Sequence, residues 1–186
     1  MNRQQTRQAD RFGEDSDTHY ITFRLADGDF ALEILRVQEL RGWGPVTRIP
    51  NSPAHVRGLL NVRGAIVPVV DLRLCLSMST RLCDKETVVI VVKVVAQGVE
   101  KLVGLLVDAA IGVLEAGHYQ LRDTAHFGER VDKTLFAGQA VSGKQEYTLL
   151  NVDRLHPDAS PVLQVGPPQQ RHSKSSYAGV NDLENQ

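Results

Sequence analysis

The sequence predicts a mainly β fold, two small closed barrels with short helical turns, and three observations predict it. Short runs rich in Val, Ile and Leu recur through residues 19–156, each bounded by Gly, Pro or Asp. Some of these runs share a grammar with others, which is a weak internal repeat. Pro68 stands inside one run, and a residue that cannot donate to a ladder belongs at a bend or an edge. Short strands leave edges unpaired, and two copies of a five-strand unit remove those edges by closing each unit into a barrel. The expected units are barrel 1, about residues 19–80, and barrel 2, about 81–156, with some exchange of segments between them.

In chain order, "YITFRLA" (20–26) and "DFALEI" (29–34) are strands flanking "ADGD" (26–29), which reads as a hairpin turn rather than a calcium loop. "ELRGWGPVTRI" (39–49) is the next extended run. "GLLNV" (58–62) and "AIVPVVDL" (65–72) are buried strands, each about one strand long. Arg63-Gly64 between them is expected to be a hairpin loop closing with a glycine bulge, with Gly64 supplying the positive φ and Arg63 projecting from the tip. "VVIVVKVV" (88–95), "KLVGLLVD" (101–108), "IGVLEA" (111–116), "FAGQAV" (136–141) and "EYTLLNV" (146–152) complete the set. The repeat sets "GLLNVRGAIVPVVDLRLCL" against "GQAVSGKQEYTLLNVDRLH", and "FALEILRVQEL" against "VGLLVDAAIGVL". Residues 1–18 have almost no aliphatic side chains, and residues 157–186 are rich in Pro, Ser, Gln and Gly. Both are expected to be disordered arms.

At 186 residues, 42% hydrophobic and 23% charged, the chain has the balance of a globular protein. Its formal net charge of -1, without a cluster of Lys and Arg, gives no reason to expect nucleic acid or an acidic membrane as partner. Cys75 and Cys83 match no metal pattern and no disulfide framework, and no signal peptide precedes them, so the cytoplasm is the expected compartment. No apolar run approaches the roughly 20 residues that span a bilayer.

The reactive constellations are missing as well. His19, His55, His118, His126, His156 and His172 are scattered without ligand spacing, so neither metal nor cofactor is expected. No nucleophile elbow, phosphate-cradling loop or dinucleotide fingerprint is present, and the chain is not expected to be an enzyme. Two charges set in apolar context stand out instead. Glu39 lies in "ILRVQELRG" and Arg63 at the hairpin tip, where they either pair with each other, recognise charge on a partner, or are simply solvated.

"ILRVQELRGWGPVTRIPNSPAHVRGLLNVRGAIVPVVDLR" resembles the signature region of the CheW family of bacterial chemotaxis coupling proteins, whose pattern runs V-x-E-[IVL], T-x-[IV]-x-N-x-P, then G-x-x-N-[LV]-R-G-x-[IV]-[IVL]-P-[IV]-[IVL]-D-L. The similarity continues through "TVVIVV", "VGLLVD" and "TLLNVDRL" and covers about residues 19–156. It implies two five-stranded SH3-like barrels in a non-catalytic adaptor. Such an adaptor bridges the cytoplasmic tip of methyl-accepting chemoreceptors to the regulatory domain of the histidine kinase CheA, which has the same fold. The receptor side carries over to Val37, Glu39, Gly58 and Arg63 in the first barrel and to Val103, Gly104 and Val113 in the second. The two glycines would let a helix approach and the three valines would give apolar contact. A plain turn or bulge role is the alternative for the glycines. No room remains after about residue 156 for a receiver or ATP-binding domain, which argues against a kinase or a phosphorylation switch. Coupling in a chemosensory pathway that controls pili or a second messenger is the other reading left open.

Overall fold

The computed structural model describes residues 17–122 and 133–155. Its strands are β1 (Tyr20–Leu25), β2 (Gly28–Glu33), β3 (Val37–Gly42), β4 (Val56–Val62), β5 (Ala65–Asp71), β6 (Val88–Ala96), β7 (Val99–Val107), β8 (Ala109–Leu114), β9 (Gln120–Arg122), β10 (Phe136–Ser142) and β11 (Gln145–Leu150). One short helix, α1 (Leu72–Cys75), follows β5, and single 3-10 turns lie at Ile34–Arg36, Lys133–Leu135 and Val152–Arg154. Asp71 starts α1 by accepting hydrogen bonds from the backbone N–H groups of Arg73 and Leu74. Every apolar run read from the sequence is a strand. The run at 39–49 is the exception in extent: it leaves the ladder after Gly42 and returns only at Thr47, which bridges Leu59. β9, three residues without an apolar run, was not anticipated.

The strands form two sheets, ordered β8-β1-β2-β11-β10-β9 and β3-β6-β7-β5-β4. The two orders have the same logic. An outer strand pairs antiparallel with a hairpin (β3 with β6–β7, β8 with β1–β2), and the far strand of that hairpin pairs in parallel with a second hairpin (β7 with β5, β2 with β11). Even the bulges correspond, at Gly58 in β4 and Gly138 in β10, with φ of 147° and 151°. The sequence repeat is therefore a structural one.

The expected division at about residue 80 corresponds to the repeat but not to the sheets. Each unit gives its first hairpin to the other sheet: β1–β2 joins β8 to β11, and β6–β7 joins β3, β4 and β5. Parallel neighbours need a long crossover, and hairpins taken from the opposite unit supply it without knotting the chain. The six-stranded sheet also exceeds the expected five, because β9 pairs with the outer side of β10.

Among the described residues, three clusters hold the fold. Leu60, Val62, Val67, Val69, Val89, Val91 and Leu106 fill the five-stranded sheet. Tyr20, Ala31, Leu114, Tyr119, Ala140 and Leu149 fill the six-stranded one. The largest lies between the sheets and draws on both, with Ile21, Phe23, Leu25, Phe30 and Leu32 meeting Ile90, Val92, Val94, Val103 and Leu105. Strands buried on both faces explain why β6 reads as a near-continuous apolar run, interrupted at Lys93, rather than an alternating one.

Two carboxylates reinforce this junction. Asp108, between β7 and β8, accepts from Arg73 Nε at 2.8 Å and from the Ala26 amide at 2.7 Å, so it ties α1 to the β1–β2 turn. The hydrogen bond to Asp108 holds the Arg73 guanidinium above its ordinary pKa and outweighs the desolvation that lowers it. Asp153 accepts from Arg36 Nη2 at 2.6 Å and from the Val95 amide at 2.7 Å, joining the end of one sheet to β6 of the other. The arms expected at 1–18 and 157–186 fall outside the described residues, apart from Asp17 and Thr18, whose carbonyl accepts from the Tyr119 hydroxyl at 2.5 Å.

Candidate functional site

The β4–β5 hairpin closes with Val62 opposite Ala65, so its loop is two residues, Arg63 and Gly64. Both have positive φ, 51° and 91°, the pattern of a type I′ turn rather than the expected glycine bulge. This turn twists with the strands, and Gly64 adopts it freely. Arg63 does not: a left-handed residue with a Cβ costs about 1–2 kcal/mol. Asn61 braces the loop by accepting the Gly64 amide on Oδ1 at 2.8 Å.

Arg63 points back across the seam to β3. Its Nε lies 3.0 Å from Glu39 Oε2, with side-chain exposures of 76% for Arg63 and 19% for Glu39. The pair that the sequence left open is formed, and it has no other partner among the described residues, so the terminal nitrogens of Arg63 present an open fork to solvent. Two residues along β3, on the same side, Arg41 Nη1 donates to the Asn61 carbonyl at 3.1 Å. Sequence reading gave Arg41 and Asn61 no role. The available signals were the two-residue spacing of Arg41 from Glu39 on a strand and an Asn two positions before a turn residue.

Val37 and Val113 lie on the corresponding outer strands of the two sheets, β3 and β8. Val37 stands opposite Val92 and Val113 opposite Ile21, and both of those partners belong to the core between the sheets. Residues directly opposite one another share a face, so the two valines border that core, one from each barrel. Val113 remains 52% exposed and Ile111 46%, on an outer strand that carries no charge.

The other three residues carried over are interior. Val103 is fully buried in the inter-sheet core, so its side chain touches the protein and not solvent. A Cβ on Gly104 would sit 2.8 Å from Val89 Cγ1 and 3.3 Å from Val69 Cγ2, inside the five-stranded barrel. At Gly58, with φ of 147°, a Cβ would meet the Thr47 carbonyl oxygen at 2.5 Å. That carbonyl accepts from Leu59 N at 2.8 Å where the chain after β3 closes onto β4. In the fold, then, the two glycines serve barrel packing and closure, and Val103 serves the inter-sheet core. The signal in the sequence was their apolar context, which fits burial as well as it fits docking.

The sequence profile of the CheW-like domain matches residues 19–159. The chain belongs to the CheW family. It is 32% identical over 143 residues to the chemotaxis protein CheW of Klebsiella aerogenes, covering 77% of this chain and 84% of that one. It is 34% identical over 139 residues to a probable chemotaxis protein CheW of Rhizobium etli, covering 75% and 87%. The crystal structure of the scaffolding protein TtCheW from Thermoanaerobacter tengcongensis superposes with a TM-score of 0.68 at 24% identity, over 80% of this chain and 99% of that one. The mainly β architecture of two SH3-like barrels is thus the CheW fold. Among the described residues no helix is long and apolar enough to cross a membrane.

Proposed function

We propose that this CheW-family chain is a non-catalytic adaptor that couples the cytoplasmic tip of methyl-accepting chemoreceptors to the regulatory domain of the histidine kinase CheA. It works in the cytoplasm and joins receptor arrays through these partners. The observation that carries the proposal is the Glu39–Arg63 pair on the seam of one barrel, with Arg63 largely exposed, while Val37 on β3 and Val113 on β8 each stand opposite a residue at the border of the inter-sheet core. A receptor tip is a helical hairpin, and an apolar stripe with one charged anchor suits a helix laid along that border. Arg63, Glu39, Val37 and Val113 make the contact, while Gly58, Val103 and Gly104 keep the surface in shape. The test is co-sedimentation of the purified chain with a receptor-tip fragment and with a kinase regulatory domain, followed by a reconstituted phosphorylation assay. Kinase output should rise only when receptor, kinase and this chain are all present. Activation without receptor, or ATP turnover by the chain alone, would count against the adaptor.

A further inference from the structure

Arg63 is displayed by a turn that its own backbone disfavours, and Glu39 alone is a weak restraint on it. The pair is half in water, and exposed ion pairs hold little. A second tie crosses the same seam. Arg41 donates to the Asn61 carbonyl, and the Asn61 side chain accepts the Gly64 amide, so one residue links β3 to the loop through two different atoms. Glu39 grips a side chain that a partner would also want, whereas Arg41 grips backbone, which no partner displaces.

We infer that Arg41 and Asn61 are positioning residues: together they hold the Arg63–Gly64 turn against β3, so that Arg63 stays aimed when a partner competes with Glu39 for its guanidinium. This rests on the receptor reading for the identity of that partner. Replacing Arg41 frees the hairpin end. Replacing Asn61 by Ala keeps the carbonyl that Arg41 uses but removes the brace on Gly64, so both changes converge on the same turn by separate routes.

The experiment uses the full chain and a purified receptor-tip fragment as the probe. Arg41→Met and Asn61→Ala should each weaken binding about 3- to 10-fold, the size of one lost hydrogen bond. Arg41→Lys and Asn61→Asp, which keep a donor and an acceptor, should return affinity to within about 2-fold of wild type. In an Arg63→Asn background Arg41→Met should add nothing further, because it acts only through Arg63. A general loss of stability would instead give additive losses and no rescue, and that result overturns the inference. The solvent-exchange rate of the Gly64 amide, read by NMR, should rise about 3-fold or more in Arg41→Met. Unchanged Gly64 exchange overturns the inference whatever the affinities. If exchange quickens while Arg63→Asn binds the receptor tip like wild type, the clasp stands and the receptor reading is what falls.

Discussion

Arg63 Nε lies 3.0 Å from Glu39 Oε2, yet the arginine is 76% exposed and the glutamate 19%. Most of the desolvation therefore falls on Glu39, and the pair stabilises the fold by no more than about 1 kcal/mol. An arginine in a left-handed turn for so small a stability gain fits the docking role proposed for its side chain.

Arg63→Asn should separate stability from binding. Asn accepts positive φ, and Asn-Gly suits this turn, so the change relieves up to about 1 kcal/mol of strain while losing an ion pair of similar worth. Urea denaturation should place its midpoint at or above that of wild type. Affinity for a receptor tip should fall about 5- to 150-fold, as expected for a lost charge-assisted contact. Wild-type affinity in this variant would remove Arg63 from the docking surface.

Gly58→Ala and Gly104→Ala should act on the fold. At Gly104 the new methyl meets Val89 and Val69, which have no flexible end to yield, and about 1–3 kcal/mol is lost. Gly58→Ala should cost at least as much, since its obstacle is the Thr47 carbonyl and its φ is positive. Denaturation midpoints and receptor affinity measured side by side decide the matter. Weakened binding with unchanged stability would show that a glycine touches the partner after all.

Asp108→Ala should be among the most damaging changes, at about 3–5 kcal/mol, because it strands a buried guanidinium at Arg73 and frees the Ala26 amide. Combining it with Arg73→Met should recover much of that loss, since no charge is then left unpaired. Thermal unfolding of the two variants gives the comparison, and a double variant no better than the single one would refute the charge-burial explanation.

The two thiols should behave differently. Burial, with a smaller contribution from the Asp71 charge, pushes Cys75 from the ordinary 9.0 up to about 12, whereas Cys83 is exposed. Between those values folded Cys75 keeps a proton that the unfolded chain has released. Stability from this group is therefore complete below about pH 9 and lost as pH rises toward about 12. The stability difference between wild type and Cys75→Ala should accordingly narrow over that interval. At pH 8 a thiol reagent should label Cys83 first and Cys75 only through opening of the fold, and equal labelling rates would contradict the burial.

Much of this molecule is readable along the chain. The strands of "GLLNV" and "AIVPVVDL", their hairpin, and the repeat with residues 138–156 are properties of consecutive residues: periodicity, turn-forming glycine and apolar runs. Glu39 and Arg63 stood out because charges in apolar context are costly unless used. The short β9 carried too few apolar residues to register, and the turn at Arg63 was given a bulge because nothing local announces a positive φ at an arginine.

What the tertiary structure alone decided is who sits beside whom. An apolar residue on a strand has the same local signature whether it lines a docking surface or a core, so Val103 and Val113 looked alike until one was buried in the inter-sheet cluster and the other left half exposed. The exchange of β1–β2 and β6–β7 is of the same kind. Each hairpin is specified by its own residues, but its parallel partner lies far along the chain, and the choice is made by which pairing buries both faces at once. Arg41 reaching Asn61 follows from that pairing too, since only closure of the barrel brings the end of β3 against the tip of the β4–β5 hairpin.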